Sequence, residues 1–185
     1  MIIKKDLFFD GGNIYLRAPR KDDLEGDWYS WLNDPVVTKY QDKGIFPNTK
    51  ELQEEYYTRI LKSDNDVLLA ICELKTDKHI GSVGLHNINW IHRSAELGIM
   101  IGERDYWGKG YGKKAWNLIS HYGFNVLNLH RIYAFINIEN INSVKSAKAS
   151  GFNEVGRIKE MFFKNGKYFD VILMNCLRND FILQK

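Results

Sequence analysis

The chain has 185 residues, 44% of them hydrophobic and 26% charged, with a formal net charge of +3. That length predicts one domain spanning 1–185, large enough to bury roughly 70% of its unfolded surface. The composition excludes a disordered or collagen-like chain, and the slight positive balance, without a long Lys/Arg block, gives no support for nucleic-acid binding. Cys72 and Cys176 lie in apolar, strand-like runs and read as free buried thiols, with the spacing of neither a disulfide scaffold nor a metal site. No apolar run is long enough to cross a bilayer, and the first six residues lack the apolar stretch of a secretion signal. A cytoplasmic protein with no membrane partner is the expectation.

In chain order, residues 13–17 read as a first strand, broken by Ala18-Pro19-Arg20. Asp22 is a candidate cap for a helix starting near Asp23. Its apolar residues are Leu24, Trp28, Trp31 and Leu32, and it stops at Asn33-Asp34-Pro35. An irregular segment holding Tyr40 and Phe46 leads to Thr49. This residue opens a second helix, to about Lys62, with Leu52, Tyr56, Ile60 and Leu61 as its stripe. Strands follow over 67–74, 80–85 and 95–101, then a long helix reaching 126 or 127 and a strand over 129–138. A short helix over 142–149 ends at Gly151 in a left-handed cap. Two last strands, 155–163 and 168–177, are joined by Asn165-Gly166, a tight-hairpin signal. The order is α+β: a mixed, mostly antiparallel sheet of about seven strands flanked by four helices, with one parallel crossover through the long helix.

Between the strand over 95–101 and the long helix lies Glu103-Arg104-Asp105-Tyr106-Trp107-Gly108-Lys109-Gly110-Tyr111-Gly112-Lys113-Lys114. Glycines at alternate positions let backbone amides turn toward a ligand, and a helix N-terminus adds unpaired N–H groups and the positive end of its dipole. Such a junction is a phosphate cradle. The dinucleotide fingerprint would need glycine at Lys113, and the P-loop would need glycine at Trp107 and Ser or Thr at Lys114, so neither fits.

The loop resembles the Q/R-x-x-G-x-G/A pyrophosphate loop of the GNAT superfamily of N-acetyltransferases, with Trp107 at the Q/R position. Further matching pieces are Arg93-Ser94-Ala95-Glu96-Leu97, Asn140-Ile141-Asn142-Ser143, Gly151-Phe152 and Asn165-Gly166-Lys167-Tyr168-Phe169-Asp170. Together they resemble the branch holding ribosomal-protein N-terminal, spermidine and amino-sugar acetyltransferases. The resemblance implies acetyl-coenzyme A as donor, an amine as acceptor, and two splayed central strands with the pantetheine arm between them. It places Ile99, Met100 and Ile101 against the thioester arm. It places Trp107, Gly108, Lys109, Gly110, Tyr111, Gly112 and Lys113 at the pyrophosphate, Asn140 on the pantetheine and Ser143 near the coenzyme. Glu96 is the candidate general base, because an ammonium must lose a proton before it can attack a thioester. His86 is the rival base. The tyrosine that many members place four residues before Gly-Phe, as general acid, is Ala147 here. Ser143, or Ser146, is the candidate substitute, and the alternative is that coenzyme A thiolate leaves without an acid. Trp31, Asp34, Tyr40 and His86 are candidates for the acceptor pocket.

The expected activity is acetyl transfer to a primary amine of a protein N-terminus, a polyamine or an amino sugar. No cysteine lies in the motif region, so direct attack in a ternary complex is expected, without a metal. A homodimer is a possible assembly. The competing reading is a non-enzymatic sensor that binds acyl-coenzyme A.

Overall fold

The computed structural model describes residues 6–183. The opening residues on which the absence of a secretion signal was read lie largely outside this range. Among the described residues an eight-stranded sheet runs in the order β1-β2-β3-β4-β5-β6-β8-β7. Its strands are β1 (Phe9–Asp10), β2 (Ile14–Arg17), β3 (Val67–Glu73), β4 (His79–Asn89), β5 (Ser94–Ile101), β6 (Arg131–Asn137), β7 (Asn153–Lys164) and β8 (Lys167–Leu177). The α-helices are α1 (Trp28–Trp31), α2 (Lys50–Leu61), α3 (Tyr111–His121) and α4 (Ile141–Ala149). The eighth strand beyond the expected seven is β1, too short to leave a periodic signal. Every neighbouring pair is antiparallel except β5 and β6, which the α3 crossover makes parallel.

One face of the sheet is dry. Leu69 and Ile71 of β3, Val83 and Leu85 of β4, Ala95 and Leu97 of β5 and Ile132 of β6 pack there against Ala115, Trp116 and Ile119 of α3 and Ala147 of α4. The helix α3 begins at Tyr111 and loses its regular turn at His121; the next turn widens, with Leu127 N–H donating to Tyr122 O. Close packing explains the change. A Cβ on Gly123 would stand 2.7 Å from Ile132 Cδ1 and 2.9 Å from Leu85 Cδ1, so this turn presses directly onto the sheet.

The expected first helix divides. Asp23 lies in no α-helix and is a buried counter-ion: its carboxylate accepts from both terminal nitrogens of Arg17 at 2.6 and 2.7 Å and from the Arg20 amide at 2.7 Å. Burial alone would raise the Asp23 carboxyl, but the Arg17 hydrogen bonds, the nearby His79 and the Arg20 amide outweigh it and hold it below the usual range. Lys21–Glu25 therefore forms a tight 3₁₀ turn, Gly26 takes extended backbone, and only Trp28–Trp31 completes an α-turn. Both tryptophans point inward, into a second core with Leu24, Val37, Ile60 and Leu68 on the opposite face of the sheet. In α2, Thr49 caps as expected, accepting from the Leu52 amide, but Leu52 and Leu61 are exposed and the buried side is Gln53 and Ile60. At the other end of the chain, Asn165 and Gly166 both take positive φ, +52° and +77°, the conformation of a two-residue hairpin turn.

Trp31 carries a further duty. Its ring lies on Gly102, directly after β5, and its Nε1 donates to Glu103 Oε1 at 3.0 Å; Lys78 Nζ holds the other Glu103 oxygen at 2.5 Å. A Cβ on Gly102 would stand 1.9 Å from Trp31 Cδ2. Gly102→Ala is therefore expected to lower unfolding free energy by about 1–3 kcal/mol, the usual range for overpacking, measured by denaturant titration.

Candidate active site

The site begins where two strands separate. β5 and β6 are in register only at Ser94↔Arg131, Ala95↔Ile132 and Glu96↔Tyr133. Beyond Glu96, β5 continues with β4 alone, through Gly98↔Gly84, Ile99↔Val83, Met100↔Ser82 and Ile101↔Gly81. Beyond Tyr133, β6 continues with β8 alone, as far as Asn137↔Val171. The inner edges of Leu97–Ile101 and Ala134–Asn137 thus border a gap in the middle of the sheet. Backbone groups on such an edge can pair with an extended ligand as with another strand.

The glycine loop stands at the head of this gap. Trp107 folds back so that its Nε1 donates to Ile101 O at 2.8 Å, latching the loop to the last residue of β5. Gly108 and Gly110 have φ of +72° and +79°, which few side chains tolerate, and Gly110 is the residue from which α3 starts. Among the described residues, none of the backbone N–H groups from Gly108 to Lys113 has an acceptor; the first amide bonded into the helix is Lys114, to Gly110 O. A Cβ on Gly108 or Gly110 would meet no protein atom within 4 Å, and one on Gly112 would only touch Ile101 Cγ1 at 4.0 Å. Free amides, a helix N-terminus and open space in front of them suit a pyrophosphate. The expected cluster of lysines is smaller than its sequence suggests. Lys113 is exposed and Lys109 lies over the Tyr106 ring, but Lys114 turns away, its Nζ bonding Gly11 O at 3.1 Å and Asn13 Oδ1 at 2.6 Å.

Comparison with known proteins agrees with this geometry. The family described as acetyltransferase (GNAT) domain matches residues 13–153. The chain belongs to the GNAT acetyltransferase family. It is 35% identical to a spermidine N(1)-acetyltransferase of Vibrio cholerae over 169 residues, 91% of this chain and 95% of that protein. A spermidine N(1)-acetyltransferase of Escherichia coli K12 is 30% identical over 172 residues, 93% of this chain and 90% of its own. The crystal structure of spermidine N-acetyltransferase from Vibrio cholerae in complex with CoA and spermine superposes with a TM-score of 0.84 at 32% identity, covering 91% of this chain and 97% of that one. The protein is an acetyl-coenzyme A-dependent N-acetyltransferase that modifies an amine.

Within this GNAT fold the remaining candidates fall into two groups. Glu96 and His86 are neighbours in register on β5 and β4, both half-buried on the face opposite α3, and Tyr133 and Asn175 continue the row across β6 and β8. Glu96 has no ion pair with Arg93 or Arg131; among the described residues its hydrogen-bond contact is Asn87 Nδ2 at 3.4 Å. Ser143 is half-buried in the first turn of α4, whose cap is Asn140, accepting from the Ser143 amide at 3.2 Å. That use of Asn140 Oδ1 leaves its amide nitrogen for a ligand. Ala147 is fully buried in the core between α3 and α4, so its methyl occupies protein interior and offers no acid.

The others make contacts within the chain. Trp31 is 4% exposed, and its ring is taken up by Gly102, Glu103 and His79, not by an open pocket. Asp34 shapes its own turn by accepting from the Val36 amide and lies 3.6 Å from Arg104 Nε. Tyr40 is half-buried and lies under Lys39 Nζ at 4.8 Å, in the segment before α2. Lys164, which sequence reasoning did not single out, pins this segment. Its buried ammonium donates to the carbonyls of Thr38, Gln41 and Lys43. Cys72 and Cys176 are fully buried, and burial raises both thiols, Cys176 to about 11, so neither is a ready nucleophile.

Gly112 gives a clean test of the cradle, because its backbone is ordinary helix and its surroundings are open. Gly112→Val is expected to leave the melting temperature unchanged while weakening coenzyme A binding at least about tenfold, a loss of roughly 1.4 kcal/mol. Isothermal titration of the variant measures both the affinity and any residual binding.

Proposed function

We propose that the acceptor is a polyamine of the spermidine class, acetylated on a primary amine by direct attack on the thioester. The observation that carries the reading is the Glu96 carboxylate. It stands on the open face at the point where β5 and β6 part, and no cation of the chain neutralises it among the described residues. A polycationic amine supplies the missing charge. The relatedness to spermidine N(1)-acetyltransferases over nine-tenths of both chains supports the same acceptor class.

The residues of the chain divide the work. The free amides from Gly108 to Lys113 hold the pyrophosphate of acetyl-coenzyme A, and the inner edge of Leu97–Ile101 aligns its pantetheine arm, with Asn140 and Ser143 on the far side. Bound acetyl-coenzyme A supplies the activated acetyl group. Glu96 draws the ammonium to the same crotch, which makes the encounter of amine and thioester effectively intramolecular. With both thiols buried and raised, no acetyl-enzyme is needed. A reducing, cytoplasmic setting fits the two free thiols.

Release of coenzyme A thiol, followed with spermidine, spermine, N-terminal peptides and amino sugars, tests the acceptor class. We expect kcat/KM for spermidine to exceed that for peptides and sugars by at least about tenfold; a peptide or sugar in first place contradicts the reading. Glu96→Gln is expected to lower kcat/KM for spermidine by about 10–100-fold, the range for a charge-assisted hydrogen bond of roughly 1.5–3 kcal/mol, with the affinity for coenzyme A unchanged.

A further inference from the structure

An ammonium at Glu96 still has to lose a proton, and the position that would hold an acid is Ala147. A second group lies beside Glu96. His86 is its register partner on β4, and the side chain of His86 is 28% exposed on the same face. Its Nδ1 stands 3.1 Å from Asp66 Oδ1. Asp66 lies in the turn that leads into β3, and it is itself fixed. Ser63 Oγ donates to Oδ2 at 2.7 Å, and the Asn87 amide donates to Oδ1 at 3.3 Å. Burial would raise the Asp66 carboxyl, but the hydrogen bonds from Ser63, His86 and Asn87 outweigh it and hold the group below the ordinary aspartate range. An ionised Asp66 places the ring hydrogen on Nδ1, since a carboxylate can only accept. Nε2 is then left with a bare lone pair.

The direction of that lone pair is set by two glycines. Gly84 and Gly98 face each other across β4 and β5. A Cβ on Gly84 would stand 2.8 Å from His86 Nε2, and one on Gly98 would stand 3.2 Å from Cδ2 and 3.4 Å from Nε2. The Nε2 end of the imidazole therefore lies over both glycines, in a slot that any side chain would fill. Gly98 belongs to the stretch of β5 that has left β6, so the Nε2 end of the ring, over Gly84 and Gly98, lies on the strand pair that borders the gap. Among the described residues Nε2 has no hydrogen-bond partner.

From this arrangement we infer that His86, oriented by Asp66, is the proton-transfer group of the acetyl transfer, while Glu96 holds the acceptor's charge. The inference rests on the acceptor site proposed above. One proton of the ammonium passes to Nε2 and on to water. The neutral amine then attacks the carbonyl carbon, and the C–N bond forms as the C–S bond breaks. The second proton leaving the nitrogen passes to Nε2 and from there to the departing sulfur. The products are the amide, coenzyme A thiol and one proton. One imidazole thus serves as base and then as acid, which accounts for a site without the tyrosine. Asp66 acts through His86 and is a positioning residue. The titratable groups facing the ring are Asp66 from the turn before β3 and Glu96 from β5; Tyr56 of α2 lies within reach of the Asp66 charge.

The test is the pH dependence of kcat and kcat/KM for wild type, His86→Gln, Asp66→Asn and Glu96→Gln, with coenzyme A affinity as the control for folding. For wild type we expect an ascending limb in the pH profile of kcat that reports the proton-transfer group. His86→Gln is expected to lose that limb and about 10²–10⁴-fold in kcat, while binding coenzyme A normally. Asp66→Asn is expected to lower kcat with coenzyme A affinity unchanged, and Asp66→Glu to restore part of it; a purely structural role would give no such rescue. Gly98→Ala, which displaces the ring without removing it, should lower kcat in the same direction. A wild-type limb in His86→Gln, or a limb that vanishes in Glu96→Gln and persists in His86→Gln, overturns the inference. If spermidine is inert with wild type and another amine turns over, the acceptor class fails, and the same variants measured with that amine still decide the role of His86.

Discussion

The fold depends on one interruption: after Glu96↔Tyr133, β5 and β6 stop pairing. A sheet normally avoids this, because an unpaired edge inside the fold leaves backbone donors and acceptors without partners. Here each strand keeps one full ladder, β5 with β4 and β6 with β8, so only the inner edges are left over. Those leftovers are the surface on which we place the pantetheine arm. The same parting sends β5 alone into Gly102, where Trp31 and the Lys78–Glu103 pair seize it and aim the chain into the glycine loop. The free amides at the start of α3 follow directly after this loop. The proposed coenzyme site is thus made from hydrogen bonds that the protein declines to make for itself.

The second consequence is the division of the sheet into two faces. The face under α3 and α4 is sealed by aliphatic and aromatic side chains. The other face is covered by α1 and α2 only over β3, β4 and the end of β5, where Leu68 and Met100 meet the second core. The remainder, the row from His86 through Glu96 and Tyr133 to Asn175, is left half-open. Polar side chains in that row would be out of place in a core. They are in place as the wall of the acceptor site proposed above, which would receive a charged amine and move its protons.

What could be read from the sequence was what is encoded locally. The glycine loop, the Asn165-Gly166 hairpin, the Thr49 cap and the left-handed Gly151 each need only a few neighbouring residues to specify them, and each was legible. The features that escaped depend on distant partners. Asp23 looked like part of a helix start until Arg17 claimed it in the interior. Asp66 looked like one acid in a polar turn, and only the fold brings it to His86, twenty residues away. Lys164 reaches the carbonyl of Thr38, 126 residues away. Lys114 belonged to a basic cluster in sequence, yet its ammonium is bonded to the loop before β2. Trp31 could not be assigned to core or pocket by spacing alone, because both uses have the same helical period.

Amide hydrogen exchange with and without coenzyme A tests the central claim most directly. The account predicts that the ligand slows exchange on two separated stretches together, the inner edge of 97–101 and the loop amides 108–113, and leaves the β7–β8 hairpin unchanged. Protection confined to another surface, or loop protection with no change along 97–101, would contradict a coenzyme site built on the parting of β5 and β6.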